Sequence, residues 1–230
     1  YTISGAPSTI THTSGTISGT PVNADVGTHT IVVTATDSSS AAATVTDTYV
    51  LTVTNTNDAP TVASAISDVS AAEDTAYSLD ASGTCTDVDA SDSMDYTISG
   101  GPSTITATTA GVISGTPVNA DVGAHTITVT CTDGSNAAAT DEYVLTVTNT
   151  NDAPTVASAI SDVSAAEDAA YSLDISSVFT DMDVGDSLSY TISGAPSTIT
   201  HTSGTISGTP VNADVGTHTI VVTATDSSSA

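Results

Sequence analysis

Apolar and polar residues alternate in several stretches of the chain. In His29–Asp37 one face reads His29, Ile31, Val33 and Ala35, and the other carries Thr30, Thr34 and Thr36. Tyr49–Thr54 puts Tyr49, Leu51 and Val53 on one side. A period of two is that of a strand, and Thr and Val suit a pleated surface. Turn signals separate the runs: Ser-Gly, Gly-Thr-Pro, Asp-Val-Gly, Asp-Gly and Asn-Asp-Ala-Pro. The alanine runs Ala41–Ala43 and Ala137–Ala139 are too short to nucleate a helix alone. The pattern predicts an all-β protein of antiparallel β-sandwich modules, with about seven strands of roughly 10–13 residues each.

The sequence also aligns with itself. Asn57-Asp58-Ala59-Pro60 returns at Asn151-Asp152-Ala153-Pro154, a step of 94 residues. Gly-Thr-Pro-Val-Asn-Ala-Asp-Val-Gly starts at Gly19, Gly115 and Gly208. Residues 1–41 and 190–230 are identical. These matches predict the C-terminal part of one module over 1–56, a complete module over 57–150, and the N-terminal and central part of a third over 151–230. The expectation is a window of a longer tandem array with two alternating module types.

Charge narrows the function. Among 230 residues there are 26 acids and no Lys or Arg, for a formal charge of −26. Nothing here can neutralise phosphate, so nucleic-acid binding is excluded. A basic membrane-surface segment is excluded too, and no run approaches the roughly 20 apolar residues of a membrane span. A hydrophobic fraction of 38% is too high for a disordered acidic tail. The chain should fold, with something outside it compensating the acids.

The acids recur at defined positions. After the linker residues Asn55, Asn57 and Asp58 come Glu73-Asp74, then Asp87-Val88-Asp89 with Asp92, then Asp133. The next copy reads Asn149, Asn151, Asp152, Glu167-Asp168, Asp181-Met182-Asp183 with Asp186, and Asp226. Carboxylates, amides and carbonyls in this mixture suit a hard cation, which takes six to eight oxygens. No His or Cys accompanies them, which argues against Zn²⁺ or Cu²⁺. Two like charges at 4 Å cost about 1 kcal/mol in water and roughly 4 at an effective dielectric of 20. Converging carboxylates would therefore force a junction open unless a cation joined them. The alternative is that Asp and Asn make turns and solubilise the surface. That reading is the favoured one for Asp25, Asp121 and Asp214 in the Asn-Ala-Asp-Val-Gly turns.

These residues carry a family resemblance. Thr-Asn-Thr-Asn-Asp-Ala-Pro resembles the calcium-binding linker between cadherin repeats. Ala35-Thr36-Asp37, Cys131-Thr132-Asp133 and Ala224-Thr225-Asp226 resemble the cadherin Ala-x-Asp element. Asp87-Val88-Asp89 and Asp181-Met182-Asp183 resemble its Asp-x-Asp element, and Glu73 and Glu167 the glutamate near the end of the first strand. The whole is most similar to dystroglycan-type cadherin-like repeats of large bacterial surface proteins and adhesins. The resemblance implies Ca²⁺ at the module junctions. Asn55, Asn57, Asp58, Asp87, Asp89 and Asp133 would serve the first. Glu73, Asp74, Asn149, Asn151, Asp152, Asp181, Asp183 and Asp226 would serve the second. The linker lacks the first Asp and last Asn of the cadherin pattern, which implies one ion per junction or weak sites.

Cys85 stands where the next copy has Phe179, and Cys131 where the other copies have Ala35 and Ala224. One module replaces a large and a small inward residue with two cysteines at once. A disulfide between facing strands explains the pair, and two buried free thiols are the alternative. A disulfide would imply an oxidising, extracellular setting.

No catalytic constellation is present in the sequence. His12, His29, His125, His201 and His218 recur once per copy of a strand without a carboxylate at a fixed catalytic offset, as strand-packing residues do. The expectation is a non-enzymatic structural segment of a long extracellular fibre, stalk or adhesin, stiffened by calcium. Its partners are neighbouring modules of the same chain. A glycan- or protein-binding adhesive module is one alternative. A filament subunit self-associating by β-strand exchange is another.

Overall fold

The computed structural model describes residues 1–89, 92–183 and 185–228. The chain forms two compact units, one of residues 1–68, 78–114 and 126–144, the other of residues 69–77, 115–125 and 145–230. Strands are the main regular structure of both, and the described residues add single-turn 3₁₀ segments at Asn23–Asp25, Asn119–Asp121 and Asn212–Asp214. Each of these follows a Gly-Thr-Pro-Val sequence, and proline cannot donate to a continuing ladder.

In the first unit, the Gly27–Thr36 strand lies between Thr2–Ser4 and Thr44–Val53 in an antiparallel sheet. The register sets Ile31 opposite Tyr49 and His29 opposite Leu51. Ile10–Thr13 and Thr16–Gly19 form a hairpin. Its two-residue loop, Ser14-Gly15, takes φ of 50° and 83°, the left-handed pair that matches strand twist in a tight hairpin. Asp95–Ser99 pairs with Thr128–Thr132, placing Tyr96 opposite Cys131, and Thr61–Val62 pairs with Cys85–Thr86. A disulfide joins Cys85 and Cys131, with the Cα atoms 6.4 Å apart. Both cysteines are buried.

In the second unit, Thr205–Gly208 is the centre of a sheet with Tyr171–Asp174 and Ile199–Thr202. Ser189–Ser193 pairs with Val221–Thr225. Leu145–Thr148 pairs in parallel with Val69–Ala72. The core holds Ile175, Val178, Ile199 and Ile206, with Phe179, Tyr190 and Val222 packed against it. Phe179 fills here the position that Cys85 takes in the first unit.

Strand lengths depart from the expectation. Among the described residues, only Gly27–Thr36, Thr44–Val53, Gly123–Thr132 and Ala138–Thr148 reach ten or eleven residues. The other strands have two to five residues, because the Ser-Gly, Gly-Thr-Pro and Asp-rich turns interrupt pairing more often than the alternation suggests. No helix among the described residues is long and apolar enough to cross a membrane.

Candidate metal centre

Two acidic clusters lie one in each unit, and they are built alike. In the first unit the Asp87-Val88-Asp89 turn closes on itself, since the Asp89 N–H donates to Asp87 Oδ1 at 2.8 Å. The Asp58 N–H of the linker donates to Asp89 Oδ2 at 2.8 Å. Asn57 Nδ2 donates to Asp133 Oδ2 at 2.9 Å. These bonds gather linker, turn and strand end at one place. Asp87, Asp92 and Asp133 then each offer an oxygen, all within 4.8 Å of one another.

The second unit repeats the plan. The Asp183 N–H donates to Asp181 Oδ1 at 2.9 Å, the Asp152 N–H to Asp183 Oδ2 at 2.8 Å, and Asn151 Nδ2 to Asp226 Oδ2 at 3.3 Å. Here the three close oxygens come from Asp181, Asp183 and Asp186. Glu73 is fully buried and accepts the Thr150 N–H on Oε1 at 2.9 Å. Ser228 Oγ donates to Asp186 Oδ1 at 2.9 Å. Glu167, at the position equivalent to Glu73, is exposed.

The charges feel one another. Burial pushes the Asp92 carboxyl above the usual carboxylate range, and Asp89, Asp133 and Asp87 add to the shift. Burial raises Asp152 likewise, with help from Asp74, Asp183 and Asp181. Asp133 moves down instead, chiefly through the Asn57 amide and then the backbone N–H groups of its own turn. Several oxygens are buried without a hydrogen-bond donor: Asp87 Oδ2 and Asp92 Oδ2 in the first cluster, and Glu73 Oε2, Asn151 Oδ1, Asp181 Oδ2 and Asp186 Oδ2 in the second unit. Such atoms are costly to leave unpaired, and no Lys or Arg exists in the chain to pair them. Oxygen-only donors with unsatisfied buried lone pairs fit a hard divalent cation. No His or Cys belongs to either cluster.

Asn55 and Asn149 are exposed and make none of these bonds. Asp74 acts on the second cluster through its field at Asp152. Asp92 and Asp186 complete the close triads, yet the motif resemblance assigns them no ligand role. Their signal was the 94-residue step that they share with the other acids. Asn23 and Asn119 also touch the clusters: Asn23 Nδ2 donates to Asp58 Oδ2 at 2.7 Å and Asn119 Nδ2 to Asp183 Oδ1 at 2.9 Å.

The model of the He_PIG family, described as Putative Ig domain, matches residues 2–54, 59–148 and 153–230. No curated protein matches the sequence. Among solved structures, mouse cadherin-23 EC22-24 is 20% identical over 96% of this chain and 79% of its own, with a TM-score of 0.57. PcdhgB3 EC1-4 is 18% identical over 97% of this chain and 62% of its own, with a TM-score of 0.58. An endo-fucoidan hydrolase of glycoside hydrolase family 107 is 23% identical, and the chain spans only 37% of its length at a TM-score of 0.40, too low to carry an argument. The fold is thus a tandem of Ig-like, cadherin-like β-sandwich repeats.

Proposed function

Since the chain belongs to the He_PIG family, we propose that it is a non-enzymatic structural segment of a long extracellular fibre, stalk or adhesin whose repeats are stiffened by Ca²⁺. The repeats are 1–56, 57–150 and 151–230, and the ions sit between them. Asn57, Asp58, Asp87, Asp89, Asp92 and Asp133, with Asn55 in the linker, hold the first. Glu73, Asp74, Asn151, Asp152, Asp181, Asp183, Asp186 and Asp226, with Asn149, hold the second. One observation carries the reading: buried carboxylate oxygens without donors recur at equivalent places in both clusters, at Asp87 and Asp181 and at Asp92 and Asp186. The buried Cys85–Cys131 disulfide supports an extracellular setting.

Extracellular modules take Ca²⁺ at about 10⁻⁴–10⁻³ M. Calorimetric titration of the chelator-treated chain should give uptake in that range. Small-angle scattering should show a stiffer particle on loading, and the melting temperature should rise with calcium. If a chelator leaves both the scattering profile and the thermal transition where they were, the proposal fails.

A second reading has one observation in its favour. Tyr49 is 41% exposed and Val50 60% exposed on the Thr44–Val53 strand, whereas Tyr143 at the equivalent place is buried. A second chain covering that apolar edge would make this a filament subunit. Concentration-dependent mass by light scattering separates the two readings.

A further inference from the structure

Each copy of Gly-Thr-Pro-Val-Asn-Ala-Asp-Val-Gly forms a loop that is pinned twice. The aspartate carboxylate takes a backbone N–H at the start of its own turn. Asp25 takes that of Val22 at 3.0 Å, Asp121 that of Val118 at 3.0 Å, and Asp214 that of Val211 at 2.9 Å. The carbonyl of the same aspartate contacts a histidine ring nitrogen, His29 Nε2 at 2.6 Å, His125 Nε2 at 2.7 Å and His218 Nε2 at 2.8 Å. The histidines therefore do more than fill a strand. They lock the loop whose first turn residue is asparagine.

What the lock presents is a carboxamide. Asn23 Nδ2 reaches Asp58 Oδ2 at 2.7 Å and Asp89 Oδ1 at 3.4 Å. Asn119 Nδ2 reaches Asp183 Oδ1 at 2.9 Å, while the other oxygen of Asp183 takes the Asp152 N–H. Asp89 and Asp183 are both buried. Asn119 is half-buried, whereas the third asparagine, Asn212, is exposed, as Asn23 is. An amide N–H₂ donates without carrying charge, so it can hold a carboxylate in place whether or not a cation is near. A pinned loop also loses little freedom in making the bond.

We propose that this loop is a carboxamide clasp, in which Asn23 and Asn119 seize the Asp-x-Asp turn of the segment that follows and preset the cation ligands before any ion arrives. The clasp is a positioning device for the proposed calcium junction, and it rests on that reading only for its effect on affinity. Without it, the acidic turn and the linker would be held mainly by bonds among mutually repelling groups.

The test uses the full chain, isotope-labelled, with calcium alone as the probe. In chelator, the Asn119 side-chain amide protons should exchange at least several-fold more slowly than those of Asn212, its exposed counterpart. Asn119→Ala should weaken calcium at the second junction about fivefold and leave the first unchanged. Asn23→Ala should do the reverse, and Asn212→Ala should do nothing. The clasp is overturned if Asn119 exchanges as fast as Asn212, or if Asn119→Ala binds calcium as tightly as the parent chain. Should the parent chain take up no calcium at all, the calcium reading falls and the exchange comparison alone decides the clasp.

Discussion

Residues 1–41 and 190–230 have the same sequence, and among the described residues they bury the same positions to different depths. In the first copy Ile31 is fully buried, because Gly27–Thr36 pairs along its length with Thr44–Val53. Its equivalent, Ile220, is only half-buried, and the paired strand there shortens to Val221–Thr225. The hairpin behaves in the opposite way. Ile206 is buried under Tyr171–Asp174, which pairs with Thr205–Gly208, whereas Ile17 in the first copy is half-buried. The aromatic contacts follow: Tyr190 packs against both Phe179 and His201, while Tyr1 meets only His12 among the described ring pairs. One 41-residue text thus yields two half-cores, each made real by whichever partner strand stands beside it. Strand identity here lives in the alternation, and burial lives in the neighbour.

The middle copy extends the comparison and carries the largest expected effect. It alone has Cys131 where the outer copies have Ala35 and Ala224, bonded to Cys85 across a separation of 46 residues. On the chain-entropy account, a loop of that size stabilises by about 4 kcal/mol. Reduction should lower the urea midpoint of the transition that includes these residues and leave the other transition in place. The double variant Cys85→Phe with Cys131→Ala copies the pair used at Phe179 and Ala224, and should recover part of the loss. If reduction shifts neither transition, the disulfide adds nothing to what the strands already provide.

Core truncation comes next. Ile206→Ala removes a buried side chain and should cost about 3 kcal/mol, within the range for such cavities. Ile17→Ala deletes the same side chain from the same sequence, half-exposed, and should cost about 1 kcal/mol. The order reverses on the facing strand, with Ile31→Ala the damaging change and Ile220→Ala the mild one. Four chemical denaturation curves check this. Equal losses within either pair would mean that both copies share one environment in solution.

How much of this was legible in advance divides along the same line. The strands at His29–Asp37 and Tyr49–Thr54 could be read because alternation is local. The sandwich class could be read because short runs and turn signals recur. Strand lengths could not, since pairing stops where a Gly-Thr-Pro or Asp-rich turn redirects the backbone. The acidic clusters stood out because carboxylates repeat at fixed steps. Asp92 and Asp186 lay in the same steps, but a motif-based reading favours the Asp-x-Asp pair beside them. Asn23 and Asn119 were hidden for a different reason. They sit 35 residues from Asp58 and 64 from Asp183, and no local pattern announces a contact over that distance.

The smallest effect is a pH dependence that sharpens the comparison between the two identical segments. Asp25 and Asp214 both lie below the usual carboxylate range. For Asp25 the leading cause is the Thr9 hydroxyl, followed by the Val22 N–H; for Asp214 it is the Val211 N–H, followed by the Thr198 hydroxyl. A carboxyl lowered on folding contributes stability that is present above its unfolded value and is lost as the pH falls through its folded value. Each should therefore stabilise its turn at neutral pH and release it in acid, below about pH 4. Asp25→Asn and Asp214→Asn keep a side-chain oxygen but no titrating group. In chelator, each variant should melt below the parent at pH 7, and the gap should close as the pH drops to 3. A gap that stays constant across that range would mean that the charge plays no part and that the turn is held by shape alone.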